Sequence, residues 1–263
     1  MSRRYLFRKV PQITAVFWIV KVVTTALGES TSDFLVYSIN PYAAVGLGAL
    51  VFVGALALQF YWRKYSAWVY WFAATMVAVF GTMAADVLHI VIGIPYLYTT
   101  AFFATALVII FILWYTVEKT LSIHSITTPR RELFYWLTVC ATFALGTAAG
   151  DTAAFTFNLG FLASGLLFAA LITAVAILHY ATKGWLSEHH ERQTRNAVLA
   201  FWLAYILTRP LGASFADWFG KAPGIGGLGW GDGTVSLILT VLLVGLVWYL
   251  AATHIDVDRT RIG

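Results

Sequence analysis

The sequence predicts an all-α, polytopic membrane protein with eight transmembrane helices, built as four tandem two-helix repeats in one membrane domain. Three observations lead there. The composition is too apolar for a soluble core. The basic residues fall in clusters roughly 50 to 65 residues apart, which leaves room for two spans between clusters. One residue pattern recurs four times at a fixed spacing.

The 263 residues are 60% hydrophobic and 11% charged, with a mean hydropathy of +0.79. Runs such as 42–61, 100–115, 160–180 and 235–252 are long enough, or nearly so, to cross a hydrocarbon core of about 30 Å. The net charge of +5 is not a nucleic-acid signature, because it is sorted by position. Fourteen of the 17 Lys and Arg fall at the N-terminus, at Arg63–Lys64, within 119–131, within 183–195 and at the C-terminus. The positive-inside rule then places both termini in the cytoplasm. The start of the chain lacks the cleavage pattern of a signal peptide. The single Cys140 excludes a disulfide framework and reads as a packing residue.

The repeat is carried by "FWIVKVVTTALGESTSD" (17–33), "YWFAATMVAVFGTMAAD" (70–86), "YWLTVCATFALGTAAGD" (135–151) and "FWLAYILTRPLGASFAD" (201–217). All four align without a gap. The Trp positions are Trp18, Trp71, Trp136 and Trp202. The Gly positions are Gly28, Gly81, Gly146 and Gly212. The Asp positions are Asp33, Asp86, Asp151 and Asp217. The Trp and Gly residues read as repeat packing, with Gly permitting close helix contact. Repeat boundaries fall at about 9–63, 64–125, 126–190 and 191–255. An even number of spans per repeat gives all four the same orientation, so the bundle is pseudo-fourfold or two pairs.

These segments resemble the bacterial membrane-protein family catalogued as repeat of unknown function 347, whose members carry four tandem two-span repeats with a characteristic Trp. The resemblance covers nearly the whole chain. It implies the architecture and no particular activity.

The first helix holds Lys21, Glu29 and Asp33 within an apolar run, where a charge at the bilayer centre costs about 3 kcal/mol on insertion scales. At 100° per residue, Lys21, Thr25, Glu29, Ser32 and Asp33 lie within about 60° of Trp18. Tyr205, Arg209 and Asp217 share the equivalent face of the seventh helix, which marks it as the protein-facing side. The four Asp form a tier near the non-cytoplasmic side. Glu29 lies one turn deeper, Arg209 about two turns deeper than Asp217, and Lys21 deeper still. Five carboxylates against two cations leave an excess that protons or a bound cation must offset. Carboxylate and hydroxyl oxygens suit hard cations.

The expected ion-binding residues are therefore Glu29, Asp33, Asp86, Asp151 and Asp217, with Lys21 and Arg209 as gating counter-ions. If the ring closes, Arg209 faces Glu29 or Asp33. A divalent ion site drawn from Glu29, Asp33, Asp86 and His89 is a narrower expectation. Pro210 marks a hinge in the seventh helix. The loop 220–233 reads as a lid to which Trp230 or Asp232 contributes. Its GIGGLG segment has no strand before it and is no dinucleotide motif. Ser187–Glu191 (SEHHE) reads as a solvated linker.

The function expected is transport of a small inorganic cation, a divalent metal such as Mn or Mg, or protons. Two other readings stand beside it. One is a non-transporting sensor or scaffold with a structural charge network. The other is an anion or organic-solute carrier using Lys21 and Arg209. No enzymatic activity and no cofactor beyond a bound divalent cation is expected. The partners are the lipid bilayer and the ion, with no nucleic acid, and the bundle is compatible with a homo-oligomer.

Overall fold

The computed structural model of the protein describes residues 8–185 and 190–257; most of Ser187–Glu191, Arg3 and Arg4 near the N-terminus, and Arg259 and Arg261 near the C-terminus lie outside them. Eight long helices run in order: α1 Ala15–Ser38, α2 Pro41–Tyr61, α3 Ala67–Asp86, α4 Tyr96–Glu118, α5 Pro129–Asp151, α6 Gly160–Trp185, α7 His190–Gly220 and α8 Asp232–Thr253. Seven of them, α2 to α8, are long and apolar enough to cross a membrane. The exception is α1, whose polar residues lower its hydropathy but are turned inward: Lys21, Thr24, Thr25, Glu29, Ser30 and Ser32 are all buried.

Local chemistry sets the helix ends. Thr14 and Thr128 accept hydrogen bonds from Phe17 N and Arg131 N, and Asn40 accepts from Tyr42 N and Ala43 N. Pro41 and Pro129 occupy first-turn positions, where no amide donor is needed. One turn of π-helix continues α3 (Val87–Val91) and another continues α5 (Thr152–Thr156), each directly after the repeat Asp.

The odd helices form a closed inner ring. α1 packs on α3, α3 on α5, α5 on α7, and α7 on α1. The even helices form an outer layer, but each packs chiefly on the inner helix of the next repeat: α2 on α3, α4 on α5, α6 on α7 and α8 on α1. Successive repeats are therefore interleaved instead of standing as separate hairpins.

A single register rule closes the ring. At Gly28 an added Cβ would overlap Ala78; at Gly81, Phe143; at Gly146, Arg209; at Gly212, Thr25. Each contacted residue lies three positions before the Gly of its own repeat. The same backbone approach is thus used four times, and only a hydrogen at Cα permits it. The Trp residues fill the layer at the other end of these helices. Trp71, Trp136 and Trp202 are buried, whereas Trp18 is only partly so and meets Phe17 and Phe201 at 5.3 and 5.7 Å between ring centres. Pro210 lies inside an uninterrupted α7, with its ring against Gly146.

Both ends of the described chain lie on one face. Gln12 N donates to Asp256 O at 2.9 Å, Tyr65 hydrogen-bonds to Asp256, and Arg8 Nη1 lies 3.2 Å from His124 Nδ1. Beneath this face Lys9 Nζ pairs with Glu132 at 2.7 Å and donates to Gln59 O at 2.7 Å. Burial pulls Lys9 below its ordinary lysine value and the Glu132 partner opposes that shift.

The register rule predicts that Gly81→Leu destabilises the protein by roughly 1–3 kcal/mol through overpacking. Gly54→Leu should be nearly silent, because nothing lies within 4 Å of that position. Thermal unfolding of both variants in detergent checks this contrast.

Candidate functional site

The residue following each repeat Gly points to the ring axis. These residues are Glu29, Thr82, Thr147 and Ala213. Arg209, three residues before the Gly of repeat four, places its guanidinium among them and is fully buried. Its Nη2 donates to Glu29 Oε2 at 2.7 Å, to Thr147 Oγ1 at 2.7 Å and to Thr82 Oγ1, and Nη1 donates to Thr25 O at 2.9 Å. Thr82 Oγ1 also donates to Glu29 Oε2 at 3.2 Å. One salt bridge and two hydroxyls thereby tie all four inner helices at one level. The small Ala213 leaves the room that the guanidinium needs.

One turn further from the chain ends lies the Asp tier, in a cavity of about 350 Å³. Glu29 forms its floor, and Asp33, Asp86, Asp151 and Asp217 surround it. Tyr37, Tyr96 and Phe155 form aromatic wall, and the Gly-rich loop supplies Lys221, Ala222, Gly231 and Asp232. Lys221 reaches back over the tier. It pairs with Asp33, and its Nζ lies 3.2 Å from Asp232 and 3.8 Å from Asp217. Burial opposes the charge on Lys221, but Asp33, Asp217 and Asp232 outweigh it and hold the ammonium well above its ordinary value.

Asp86 and Asp151 differ from the other two Asp. Neither hydrogen-bonds nor pairs with another described residue, and both are only partly buried in the cavity wall. Each sits where its α-helix passes into the π-turn, a distortion often found at functional sites.

The expected residues are therefore sorted as follows. Glu29, Asp33, Asp86, Asp151 and Asp217 share one cavity. Arg209 faces Glu29 and not Asp33, whose cation is Lys221. Oxygens of Glu29, Asp33 and Asp217 lie within 4.8 Å of one another, a spacing that can hold a metal ion. Asp86 and His89 are not in that group. His89 Nδ1 is 2.7 Å from Ile94 O and its ring stacks on Tyr96 at 3.4 Å, because the π-turn carries it past the tier. Lys21 is buried but does not reach the cavity; it lies on the opposite side of Arg209, between the rings of Phe143 and Tyr205. Trp230 packs its ring, tilted, against Phe219 at 4.9 Å between centres and leaves the polar lid contact to Asp232 and Lys221.

Lys221 is the residue that sequence reasoning missed. It lies outside the repeat pattern, in a loop. The available signal was its position four residues after Asp217, one helical turn away.

The Arg209 hub predicts a specific stability pattern. Arg209→Ala leaves Glu29 buried and unpaired and should cost about 3–5 kcal/mol. The double variant Arg209→Met with Glu29→Gln should recover much of that loss. Thermal melts of the single and double variants in detergent test it; equal losses in both would refute the hub.

A family model of the Repeat of Unknown Function (DUF347) matches residues 16–65, 69–120, 134–184 and 200–256. No curated protein and no solved structure matches the chain. The four matches begin one after another at the inner helices of the ring, and the chain belongs to the DUF347 repeat family.

Proposed function

We propose that the protein is a multi-pass carrier for a small inorganic cation, with protons as the counter-substrate. The observation that carries this reading is the charge of the cavity and its floor. Six carboxylates, Glu29, Asp33, Asp86, Asp151, Asp217 and Asp232, converge there, against Arg209 and Lys221 in contact with them and Lys21 one layer below. The excess of three negative charges must be met by bound cations or protons. Oxygen-only donors favour a hard ion, such as Mg or Mn, over a soft one. All eight long helices then span the membrane, α1 with its polar face sheltered by the ring. The face holding both chain ends is the cytoplasmic side of a bacterial inner membrane, and the cavity faces the other side.

The Arg209–Glu29 pair is the floor of the cavity and the gate. A cation that takes Glu29 as ligand competes with Arg209 for the same oxygen. Release of the guanidinium loosens the level at which all four inner helices are tied.

The second reading is a membrane sensor or scaffold without flux. The hydrogen bonds from Arg209 to Glu29, Thr82, Thr147 and a backbone carbonyl favour it, since a structural network is built this way. An anion carrier gains no comparable support, because Arg209 is occupied by a carboxylate and Lys21 is sealed.

Asp86→Asn and Asp151→Asn separate the two readings, because neither side chain supports a partner. In proteoliposomes loaded with a divalent-sensitive dye and a pH dye, the wild type should show cation uptake with opposite proton movement. Both variants should lose about tenfold or more of the uptake while melting at the wild-type temperature. Absence of flux in the wild type would eliminate the carrier reading.

A further inference from the structure

Lys21 is a buried cation of the axis with no polar partner among the described residues. Its side chain is 1% exposed, and among the described residues its Nζ has no hydrogen-bond acceptor. What it has is two aromatic faces, with ring centres at 4.1 Å (Phe143) and 4.3 Å (Tyr205). Phe143 also lies 5.3 Å from Arg209 Cζ, so a single ring separates the two cations.

The charged groups around Lys21 can be named element by element. Arg209 and Tyr205 face it from α7. Phe143 faces it from α5, with Tyr135 and Cys140 one layer toward the chain ends. Glu29, two turns further along α1, is already bonded to Arg209. No carboxylate contacts Lys21, and no acceptor holds its proton in place.

On the side toward the chain ends lies a set of buried hydroxyls. Tyr70 and Tyr135 hydrogen-bond to each other, and the buried Tyr205 hydroxyl lies close enough to interact with both. The ring of Tyr65 lies 5.9 Å from that of Tyr70, and the Tyr65 hydroxyl bonds Asp256 at the terminal face. Burial raises Asp256 above the usual carboxylate value, against the opposing hydrogen bond from Tyr65. Asp256, Tyr65, Tyr70, Tyr135, Tyr205 and Lys21 thus lie in succession through the aromatic layer, hydrogen-bonded at Asp256–Tyr65 and Tyr70–Tyr135, with the Tyr205 ring against Lys21. The repeat pattern does not demand the lysine: the equivalents of Lys21 are Ala74, Val139 and Tyr205.

We infer that Lys21 is an exchangeable proton site, loaded from the terminal face through the tyrosine hydroxyls, and that its proton competes with the cation held in the carboxylate cavity. The inference rests on the carrier reading and supplies its coupling residue. The step balances as proton transfer alone. Asp256 gives up a proton to this series, each hydroxyl accepts one proton and passes on its own, and the neutral Lys21 amine accepts the last. No electron moves and no covalent bond between heavy atoms changes. Protonated Lys21 adds a positive charge beside Arg209, which offsets part of the carboxylate excess and weakens cation binding. Loss of that proton restores the excess.

The test uses the full chain purified in detergent. MnCl₂ is added in weak buffer with a pH indicator, and Mn binding is measured by calorimetry. Wild type should release about one more proton per bound ion than Lys21→Met. Lys21→Arg, which keeps a fixed charge, should likewise lose that proton and bind Mn more weakly than Lys21→Met. Tyr135→Phe should leave Mn affinity unchanged and slow proton release. Equal proton release from wild type and both Lys21 variants, with Mn still bound, would overturn the inference and leave the carrier reading standing. No Mn binding by wild type would count against the carrier reading; the inference is then decided by ¹³Cε-lysine NMR. The Lys21 signal, assigned by its loss in Lys21→Arg, should shift during a pH titration of the folded protein. A signal fixed throughout that titration would overturn the inference independently of any metal.

Discussion

The structure depends on one ion pair placed where four helices meet. Arg209 and Glu29 come from the first and last repeats, and Thr82 and Thr147 come from the two between. A buried pair of this kind is weak evidence for net stability, since desolvation offsets much of the attraction. Its value is geometric. It sets the level of α7 against α1 and closes the ring at the seam between the chain's beginning and its end. The close glycine approaches bring the backbones near enough for a single guanidinium to reach three neighbours.

Around that point the axis is layered by chemistry. Carboxylates lie on the cavity side. An arginine hub follows, then a lysine enclosed by rings, then hydroxyls among tryptophans. Each layer is one position of the repeat read across four helices, so the order along the axis is the order along the sequence. The two ends are accordingly different solvents. One is an acidic cavity under a glycine-rich loop; the other is an aromatic stack covered by Lys9, Glu132 and Gln59.

Much of this was legible in the sequence, for a physical reason. A repeated structure must solve the same packing problem at each turn of the ring, so Trp, Gly and Asp return at equal spacing. The amphipathic angle of Lys21, Glu29 and Asp33 placed them inward, and chain closure placed Arg209 near Glu29. What was not legible depends on contacts between repeats. Hydropathy cannot show that α2 packs chiefly on α3, because both orders of packing bury the same stripe. Nor can it show that Lys221 folds back from a loop, or that a π-turn rotates His89 away from Asp86. The inner polar face also explains why α1 alone among the long helices falls short of a membrane span by composition while burying so many of its residues.

The four-fold register has a consequence for the repeats themselves. The axis offers one central volume, and the same position in each repeat competes for it. Thr25, Ala78, Phe143 and Arg209 share a site in the alignment, yet only one of them is a guanidinium. A ring of four identical hairpins carrying Arg there would drive four like charges into one point with a single binding partner's worth of space. The same hairpins carrying Ala or Thr would leave the centre hollow. One chain carrying four unequal repeats in a fixed order places a single guanidinium at that level and gives it three different neighbours.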